Sequence, residues 1–479
     1  MINNKAYCFA FIGAIVALAT YRYSIYSKKG EVEQIASLLT KNFEKQISHY
    51  KKISVGTNAN IDLIVSGVAL LNKLGILAPK YGKQCSEVDS LDVLGECFMY
   101  FMSKGAAGER PIATQQLNAE IVHAASLIEN SQNFIGGNAA LVGLKFSKLI
   151  PNAKVMLCGP VGPNLKLLLP NEVFVPKSCE VPEDENHLIL EYQRNERWGA
   201  VKAPIANRFI MSHDVANSAL STLESFIEET LMFKPDLIIV SGFHLLDNQN
   251  EQFWQQRLQS AAAGFSRLPL DVPVHLELAS MSHCPVIIAL VEQLIPFVNS
   301  IGLNEQELAF ITRCLHGVHA DRTEVAKKDE IGFFSDVISW IMMKYGKNDQ
   351  LNPNSRLTRI HFHCLYVHIL AVVPTYWSSN EASVSRGSWT AYSQACDSEE
   401  VNDNVAELKM PREFSISLQS GSSVEFKFDS PLTVVAGSED INLYISPVLV
   451  CKRPLKTVGL GDAISASGLL YNDFKQSIT

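Results

Sequence analysis

Short apolar runs that end in glycine or polar residues recur along most of the chain, and stretches with helical spacing of apolar positions separate them. Runs of this kind are typical of strands that are buried on both faces. They read KISVG, AKVMLCGPVG, PDLIIVSGF, VPVHLELAS and PFVNSIGL. The alternation predicts an α/β fold with a doubly wound, mostly parallel sheet, in which ligands bind beyond the carboxyl ends of the strands.

Two stretches depart from this alternation. CEVPEDENHLILEYQRNERWG is an acidic loop followed by a strand that places His187, Ile189 and Glu191 on one face. Together with the segment after the first strand, it predicts a smaller, discontinuous lid domain over about 62–130 and 180–203. Residues 376–421 are rich in serine, asparagine and charge, and we expect them to form a peripheral excursion.

An apolar run of about fourteen residues lies near the N-terminus, from Ala6 to Ala19, between basic flanks. A bilayer span needs roughly twenty residues, so the run fits the apolar core of a signal peptide, and Ala17-Leu18-Ala19 suits cleavage. If the segment extends through Tyr26, it is a signal anchor instead. An ordinary buried helix is the third interpretation.

The N-terminal pattern predicts location and domain limits. We expect residues 1–29 to be a signal peptide or signal anchor for the endoplasmic reticulum, with the protein anchored, lumenal or secreted. Residues 30–51 are expected to form a helical connector, and residues 52–479 to carry the α/β fold. The first segment is then the only part that contacts a membrane.

Charge and cysteine spacing narrow the class of protein. The net charge of −8, without a long basic run, argues against a nucleic-acid partner. The ten cysteines include no C-x-x-C pair, which indicates neither a zinc site nor a dense disulfide framework. Cysteine usage therefore leaves the redox compartment undecided.

The stretch TVGLGDAISASG contains the strongest candidate for chemistry. Gly459 and Gly461 allow a ligand to approach the main chain, and a helical pattern starts at Asp462. A helix N-terminus binds anions, and a carboxylate there can accept a proton from a nucleophile. The alternative interpretation is a glycine turn with Asp462 as an ordinary helix cap.

Polar side chains also follow several predicted strands. Asn58, Asn60 and Asp62 can bracket adjacent hydroxyls of a ligand, or they can serve as turn residues. Gly137 and Asn138 precede a helix and expose N–H groups, although Asn138 can equally be a cap.

Carboxylates at two further strand ends predict a magnesium site. His275 and Glu277 share one strand face, and Asn304, a plausible helix cap, precedes Glu307. Glu277 and Glu307 can hold hydrated Mg²⁺, which takes one or two carboxylates and keeps several waters. His361 and His363 also share a strand face, but a third metal ligand is not obvious, so satisfied strand histidines are the favoured interpretation.

Several longer stretches together resemble one known family, the eukaryotic ADP-dependent glucokinases. The resemblance covers residues 52–471. It is carried by SKGAAGER, GGNAAL, LCGPVGP, HLILEYQ, APIANRFIMSHD, HLELASM, GLNEQEL, RIHFH and TVGLGDAISA. It implies a ribokinase-like fold with a large α/β domain and a lid. It also implies transfer of the β-phosphate of ADP to glucose, giving AMP and glucose 6-phosphate with Mg²⁺, as a step that feeds glycolysis.

The resemblance also implies a role for each matched residue. Asp462 would be the catalytic base, on the metal side of the cleft with Glu277 and Glu307. The expected nucleotide and phosphate contacts are Arg208, Asn304, Gly459 and Gly461. The expected sugar contacts are Asn60, Asp62, Glu109, Gly137, Asn138 and His187.

Two other functions stay open on the sequence. One is an ATP-dependent sugar kinase of the same superfamily, and the other is a catalytically inactive relative that senses sugar or nucleotide. The expected partners are glucose and ADP, and we expect a monomer. Intact residues at every matched catalytic position favour the enzyme over the sensor.

Overall fold

A computed structural model describes residues 30–44, 49–322, 325–437, 441–455 and 458–475 of the chain. These residues fold into two compact units, one spanning residues 50–297 and the other formed by the described residues before and after that range. The predicted signal or anchor segment, residues 1–29, lies outside the described residues. Within the described ranges, no helix combines the length and the apolar character that a bilayer span requires.

The predicted connector begins as a helix, α1 (Glu31–Phe43). Its apolar positions follow helical spacing, and Val32, Ile35, Leu39 and Phe43 are buried. This face packs within the unit that contains the C-terminal residues.

The unit of residues 50–297 contains two sheets and the helices that cover them. Its helices are α2 (Gly67–Lys73), α3 (Leu91–Lys104), α4 (Gln115–Ser126), α5 (Asn138–Leu149), α6 (Pro163–Leu168), α7 (Leu223–Phe233), α8 (Glu251–Phe265) and α9 (Cys284–Gln293). Its strands are β1 (Lys52–Gly56), β2 (Asn60–Ser66), β3 (Gly108–Pro111), β4 (Gln132–Gly136), β5 (Lys154–Cys158), β6 (Val173–Phe174), β7 (Asn186–Tyr192), β8 (Arg197–Trp198), β9 (Val201–Lys202), β10 (Asn207–Ser212), β11 (Leu237–Val240) and β12 (Val274–Glu277).

The first sheet is parallel and has helices on both faces, as the alternation of apolar runs predicts. Its strands lie in the order β12-β11-β1-β5-β6. On one face, Ser54 of β1 contacts Thr230 of α7 through a 2.6 Å hydrogen bond. On the other face, α5 packs closely enough that a Cβ at Gly143 would lie 3.5 Å from Val155 of β5.

The second sheet has five strands in the order β3-β10-β7-β2-β4. Its apolar side chains pack against α2, α3 and α4, and this core includes Leu63, Leu188 and Phe209. The opposite face carries the polar side chains of β2, β7 and β10. Strands β4 and β10 lie beyond the limits predicted for the lid, whose boundaries stay a prediction.

One local expectation is wrong. The sequence predicts that Asn60 and Asp62 lie in a polar loop after the first strand, but both residues belong to β2. Their polar side chains alternate with Ile61 and Leu63, which face the core, and a strand with one polar face resembles a loop in composition.

The other unit is built around a second set of strands. Its further helices are α10 (Glu305–Cys314), α11 (Glu330–Tyr345), α12 (Asn380–Cys396) and α13 (Leu460–Leu470). Its strands are β13 (Ser300–Asn304), β14 (Arg359–His363), β15 (Val367–Val372), β16 (Trp377–Ser378), β17 (Ala406–Leu408), β18 (Glu413–Ser415), β19 (Ser423–Glu425), β20 (Thr433–Ala436), β21 (Asn442–Pro447), β22 (Leu449–Cys451) and β23 (Asp473–Phe474). Five of the strands lie in the order β20-β21-β15-β14-β13, in which β13 and β14 are parallel.

The expectation of a peripheral excursion at 376–421 is wrong for residues 380–396, because α12 lies in the core of this unit. It packs against α1, α13 and β15. Two of its buried serines have hydrogen-bond partners: Ser383 Oγ donates to the Gly468 carbonyl at 2.8 Å, and Ser388 Oγ donates to Ser446 Oγ at 3.0 Å. Small hydroxyl side chains let helices approach closely, so a polar composition here does not indicate exposure.

Disulfide bonds cross-link residues within both units. They join Cys85 to Cys97, Cys158 to Cys179, and Cys396 to Cys451. The first connects the loop before α3 to that helix, and the last connects the end of α12 to β22. The sequence left this pairing undecided.

Candidate active site

The loop between β1 and β2 organises one end of the unit of residues 50–297. Asn58 Oδ1 accepts hydrogen bonds from the Ala139 amide at 3.1 Å and from Ser241 Oγ at 2.9 Å. Asn58 Nδ2 donates to Asn138 Oδ1 at 3.3 Å. Asn58 thus caps the N-terminus of α5 from outside the helix and joins it to the residues that follow β11.

Asn60, Asp62 and the glycine pair form a tight cluster at that end. Asn60 Nδ2 donates to Asp62 Oδ1 at 2.7 Å, and both side chains are buried. Asn60 pairs with Gly136 in the β2–β4 register, and a Cβ at Gly136 would collide with the Asp62 carboxylate. Gly137 has a φ of +82°, a conformation that favours glycine. The predicted sugar residues Asn60, Asp62 and Gly137 are therefore neighbours.

His187 lies on the same polar face, directly opposite Asp62 in the β2–β7 register. Its Nε2 is 3.0 Å from both carboxylate oxygens of Asp214. Ser212 Oγ donates to Asp214 Oδ2 at 2.8 Å. Asp214 was missed by the sequence analysis, although it ends the matched stretch APIANRFIMSHD.

Burial and charge act in opposite directions on these groups. Burial acts to lower the pKa of His187, but Asp214, followed by Asp62 and Glu109, outweighs it and raises the pKa to about 9. Burial raises the pKa of Asp62 above its ordinary value, against the opposing effects of His187, the Asn60 amide and Arg208. At neutral pH the face therefore presents a protonated imidazole between carboxyl groups.

Glu109 and Arg208 border the same face from β3 and β10. Glu109 is exposed and pairs with Ile210, and Arg208 pairs with Glu191 of β7. Both charges affect the cluster: Glu109 acts to raise the pKa of His187, and Arg208 acts to lower the pKa of Asp62. The structure thus gathers the predicted sugar residues, and the predicted phosphate contact Arg208, on one polar sheet face and the adjoining start of α5.

His275 and Glu277 end strand β12 of the parallel sheet. His275 Nε2 lies 2.9 Å from Glu277 Oε2, and both side chains are almost fully buried. The predicted shared face is confirmed, because the two residues are separated by one position in a strand.

In the other unit, Asn304 and Glu307 form a capping box at the start of α10. Asn304 Oδ1 accepts from the Glu307 amide at 3.1 Å, and Glu307 Oε2 accepts from the Asn304 amide at 2.8 Å. Asn304 Nδ2 also donates to Glu307 Oε1 at 2.9 Å. The predicted cap is confirmed, and Glu307 is held rigidly by it.

The start of α13 has the geometry expected of GLGD. Gly459 caps the helix with a φ of +63°, and Asp462 lies buried in the first turn. The helix begins two residues before Asp462, at Leu460, so the N–H groups of this turn and the carboxylate of Asp462 lie together.

Three buried histidines lie beneath this helix. His361 and His363 share a face of β14 as predicted, and His368 of β15 is paired with His363. A Cβ at Gly468 or at Gly387 would lie 2.8 Å from His361 Cε1, and one at Gly461 would lie 3.0 Å from His363 Cε1. Burial holds the pKa of His368 well below its ordinary value. These rings provide the surface on which α12 and α13 pack.

Carboxylate and histidine side chains of the described residues do not cluster as a dehydrated metal site requires. Among them, no group of three or more histidine, cysteine, aspartate or glutamate side chains is placed to hold a metal ion. This finding does not exclude a hydrated magnesium ion, which needs one or two carboxylates, and ionised carboxylates retain lone pairs for water.

Comparison with known proteins gives the family. A model of the ADP-specific phosphofructokinase/glucokinase conserved region matches residues 51–471. The ADP-dependent glucokinase of Bos taurus is similar to this chain, with 44% identity over 426 residues that cover 88% of this chain and 85% of the bovine protein. A probable ADP-dependent glucokinase of Caenorhabditis elegans is 32% identical over 476 residues, which cover 97% and 94% of the two chains. The chain therefore belongs to the ADP-specific phosphofructokinase/glucokinase family.

Solved structures agree with the fold. The structure of a hypothetical ADP-dependent phosphofructokinase from Pyrococcus horikoshii OT3 is similar with a TM-score of 0.63 and 19% identity, covering 89% of this chain and 98% of that one. At this identity the likeness concerns the fold alone. The α/β fold predicted from the sequence and the family resemblance are both confirmed.

Proposed function

We propose that this chain is an ADP-dependent glucokinase that transfers the β-phosphoryl group of ADP to D-glucose and releases AMP and glucose 6-phosphate. The observation that carries the proposal is the polar sheet face of Asn60, Asp62 and His187, in a chain 44% identical to a bovine protein of that activity. A face of hydrogen-bonded carboxyl, amide and imidazole groups suits a polyhydroxyl substrate.

Binding of glucose is assigned to that face. Buried groups that are left unpaired when a hydroxyl is missing discriminate strongly among substrates. Asp62 and Glu109 would accept hydrogen bonds from hydroxyls, and Asn60, Asn138 and the Gly137 amide would complete the set. The mutual bonds of Asn60 and Asp62 fix these groups before the sugar arrives.

Phosphoryl transfer is assigned to the start of α13. Asp462 would accept the proton of the attacking sugar hydroxyl. The N–H groups of residues 459–462 would stabilise charge on the transferred group, worth about 3 kcal/mol for each donor in comparable sites. Arg208 and Asn304 are assigned to the nucleotide phosphates. This machinery needs positioning and charge rather than covalent chemistry by the protein.

We assign magnesium, as a hydrated ion, to the carboxylates of Glu277 and Glu307, which would bind its water shell, with Asp462 as a third carboxylate. Both glutamates are buried and held in place, Glu277 by His275 and Glu307 by the capping box. When bound, the ion would neutralise phosphate charge.

One assay tests the activity against the two alternatives. The purified full-length chain is incubated with glucose and either ADP or ATP, and AMP, glucose 6-phosphate and ADP are quantified. We expect AMP and glucose 6-phosphate in equal amounts from ADP. Product from ATP alone would indicate an ATP-dependent kinase. Calorimetric binding of glucose or ADP without product would indicate a sensor.

We also propose that the chain resides in the endoplasmic reticulum. The apolar run of residues 6–19 supports this location, and so do the disulfides, since disulfides persist in oxidising compartments. Fractionation of cells that express the full chain should place it with reticulum membranes or lumen. Deletion of residues 1–26 should leave activity intact, because α1 begins after the deletion. An even cytosolic distribution of the full chain would contradict the proposal.

A further inference from the structure

Asp214 lies behind His187, in a position that the family assignment leaves without a role. Its two carboxylate oxygens are each 3.0 Å from His187 Nε2, and Oδ2 also accepts from Ser212 Oγ at 2.8 Å. The side chains of His187 and Asp214 are only 18% and 10% exposed. This pair is therefore a largely desolvated ion pair, in which the carboxylate is itself fixed by a hydroxyl.

The contact settles which ring nitrogen of His187 is available. Nε2 is occupied by Asp214, and among the described residues Nδ1 makes no hydrogen bond. The hydrogen bond made by one imidazole nitrogen sets the protonation of the other. A neutral ring with its proton on Nε2 would present Nδ1 as an acceptor, whereas a protonated ring presents Nδ1–H as a donor.

The charged surroundings of His187 come from several elements. Asp62 of β2 and Glu109 of β3 act on it directly, and Arg208 of β10 acts on Asp62. Glu185, in the loop before β7, and His244, after β11, both interact electrostatically with Asp214. His244 is neutral at physiological pH, because burial lowers its pKa to about 4. The carboxyl groups outnumber the cations around the ring, so the surroundings favour an imidazolium.

We propose that Asp214 is a positioning residue for sugar binding: it fixes the His187 ring and keeps both ring nitrogens protonated, so that Nδ1–H donates to a glucose hydroxyl. This inference rests on the proposed glucokinase function. It assigns Asp214 an action through His187 and not a contact with substrate, and it makes Ser212 the residue that orients Asp214.

The proposal predicts a pH dependence. The pKa of His187 is raised to about 9, so the donor is present throughout neutral pH and is lost only as pH rises through about 9. Without the Asp214 charge, the opposing effect of burial gains weight and the pKa falls. The KM for glucose should then begin to rise at a lower pH.

The test compares D214N with wild type and with D184N from pH 5.5 to pH 9.5. Asp184 is a carboxylate on a nearby segment that caps the Asn164 and Leu165 amides and does not contact His187. In wild type and D184N, the glucose KM should stay within twofold up to about pH 8. In D214N, the pH at which the KM doubles should fall by at least one unit, while the KM for ADP stays within twofold. S212A should give a smaller shift in the same direction, and D214E should restore part of the wild-type profile.

Superimposable glucose KM profiles for D214N and wild type would overturn the proposal, whatever the change in kcat. If D214N does not fold, histidine NMR of the wild-type protein decides the matter, with H187Q used to assign the signal. His187 should then remain protonated until about pH 9, and titration at or below about 6.5 would overturn the proposal. If the wild type yields no AMP from ADP and glucose, the glucokinase function fails separately, and the NMR titration still reports on the ion pair.

Discussion

The polar sheet face of residues 50–297 and the start of α13 are two candidate binding surfaces that are built in different ways. The sheet face consists of polar and charged side chains that hold one another: Asn60 donates a hydrogen bond to Asp62, and His187 pairs with Asp214. At the start of α13, backbone N–H groups and one carboxylate lie together, and the helix packs against buried histidines. A site made of titratable side chains changes with pH, because its groups gain or lose protons. A site made of backbone N–H groups is instead disturbed by any atom added at its glycines.

The largest expected effect concerns the one carboxylate at the start of α13. D462N should lower kcat by at least ~10²-fold, because the amide cannot accept the proton of the sugar hydroxyl. Glucose and ADP binding, measured by calorimetry, should persist, since the change is isosteric. Near-normal kcat in this variant would remove Asp462 from the mechanism and would leave the helix start as a purely backbone site.

A glycine substitution tests how closely α13 packs against the histidine side chains beneath it. G468A places a Cβ 2.8 Å from His361 Cε1 and 3.0 Å from its Nδ1, so it should destabilise the protein by ~1–3 kcal/mol in chemical denaturation. The matched control is G143A in α5, another buried helical glycine, where the nearest atom is 3.5 Å away. That variant should gain up to ~1 kcal/mol from helix propensity. Equal effects of the two changes would contradict the packing argument.

Substitution of Glu277 or Glu307 should have a smaller effect, which distinguishes a role in magnesium binding from a role in sugar binding. E277Q and E307Q should each raise the magnesium concentration needed for half-maximal rate by up to ~10-fold, while the glucose KM changes less. Magnesium titrations at saturating glucose and ADP provide the measurement. If both titrations match the wild type, neither carboxylate serves the ion, and their burial is explained by His275 and the capping box alone.

The last prediction is a pH dependence of stability confined to the sheet face. His187 has a folded pKa of about 9 against an ordinary 6.5, so its contribution is complete below pH 6.5 and disappears as pH rises through about 9. The stability difference between wild type and H187Q should therefore decrease by ~1–3 kcal/mol between pH 6 and pH 9.5. A constant difference over that range would show that His187 is neutral in the folded protein.

The sequence predicts the parallel strands well because burial on both faces leaves continuous apolar runs, as in β5, β11 and β12. It fails at α12, where Ser383 and Ser388 reach full burial through hydroxyl hydrogen bonds that hydropathy does not register. The helix cap Asn304 is local and was predicted, since its partner Glu307 is three residues away.

Asp214 could not be predicted because its partner, unlike that of Asn304, is distant in the sequence. Its partner His187 is separated from it by 27 positions, and only the antiparallel pairing of β7 with β10 brings the two strands together. Nothing in the spacing of the two residues indicates that pairing. Long-range partners of this kind follow from strand order, which local patterns do not determine.

The disulfides have a practical consequence for anyone who produces this protein. They close loops of 12, 21 and 55 residues, and a closed loop of about fifteen residues is worth roughly 3 kcal/mol. Material made in the reducing cytosol of a bacterial host would begin without these cross-links, and its yield would depend on later oxidation. Secretion through an oxidising host, or refolding with a glutathione couple, should give the higher specific activity, and reductant in storage buffers should shorten its useful life.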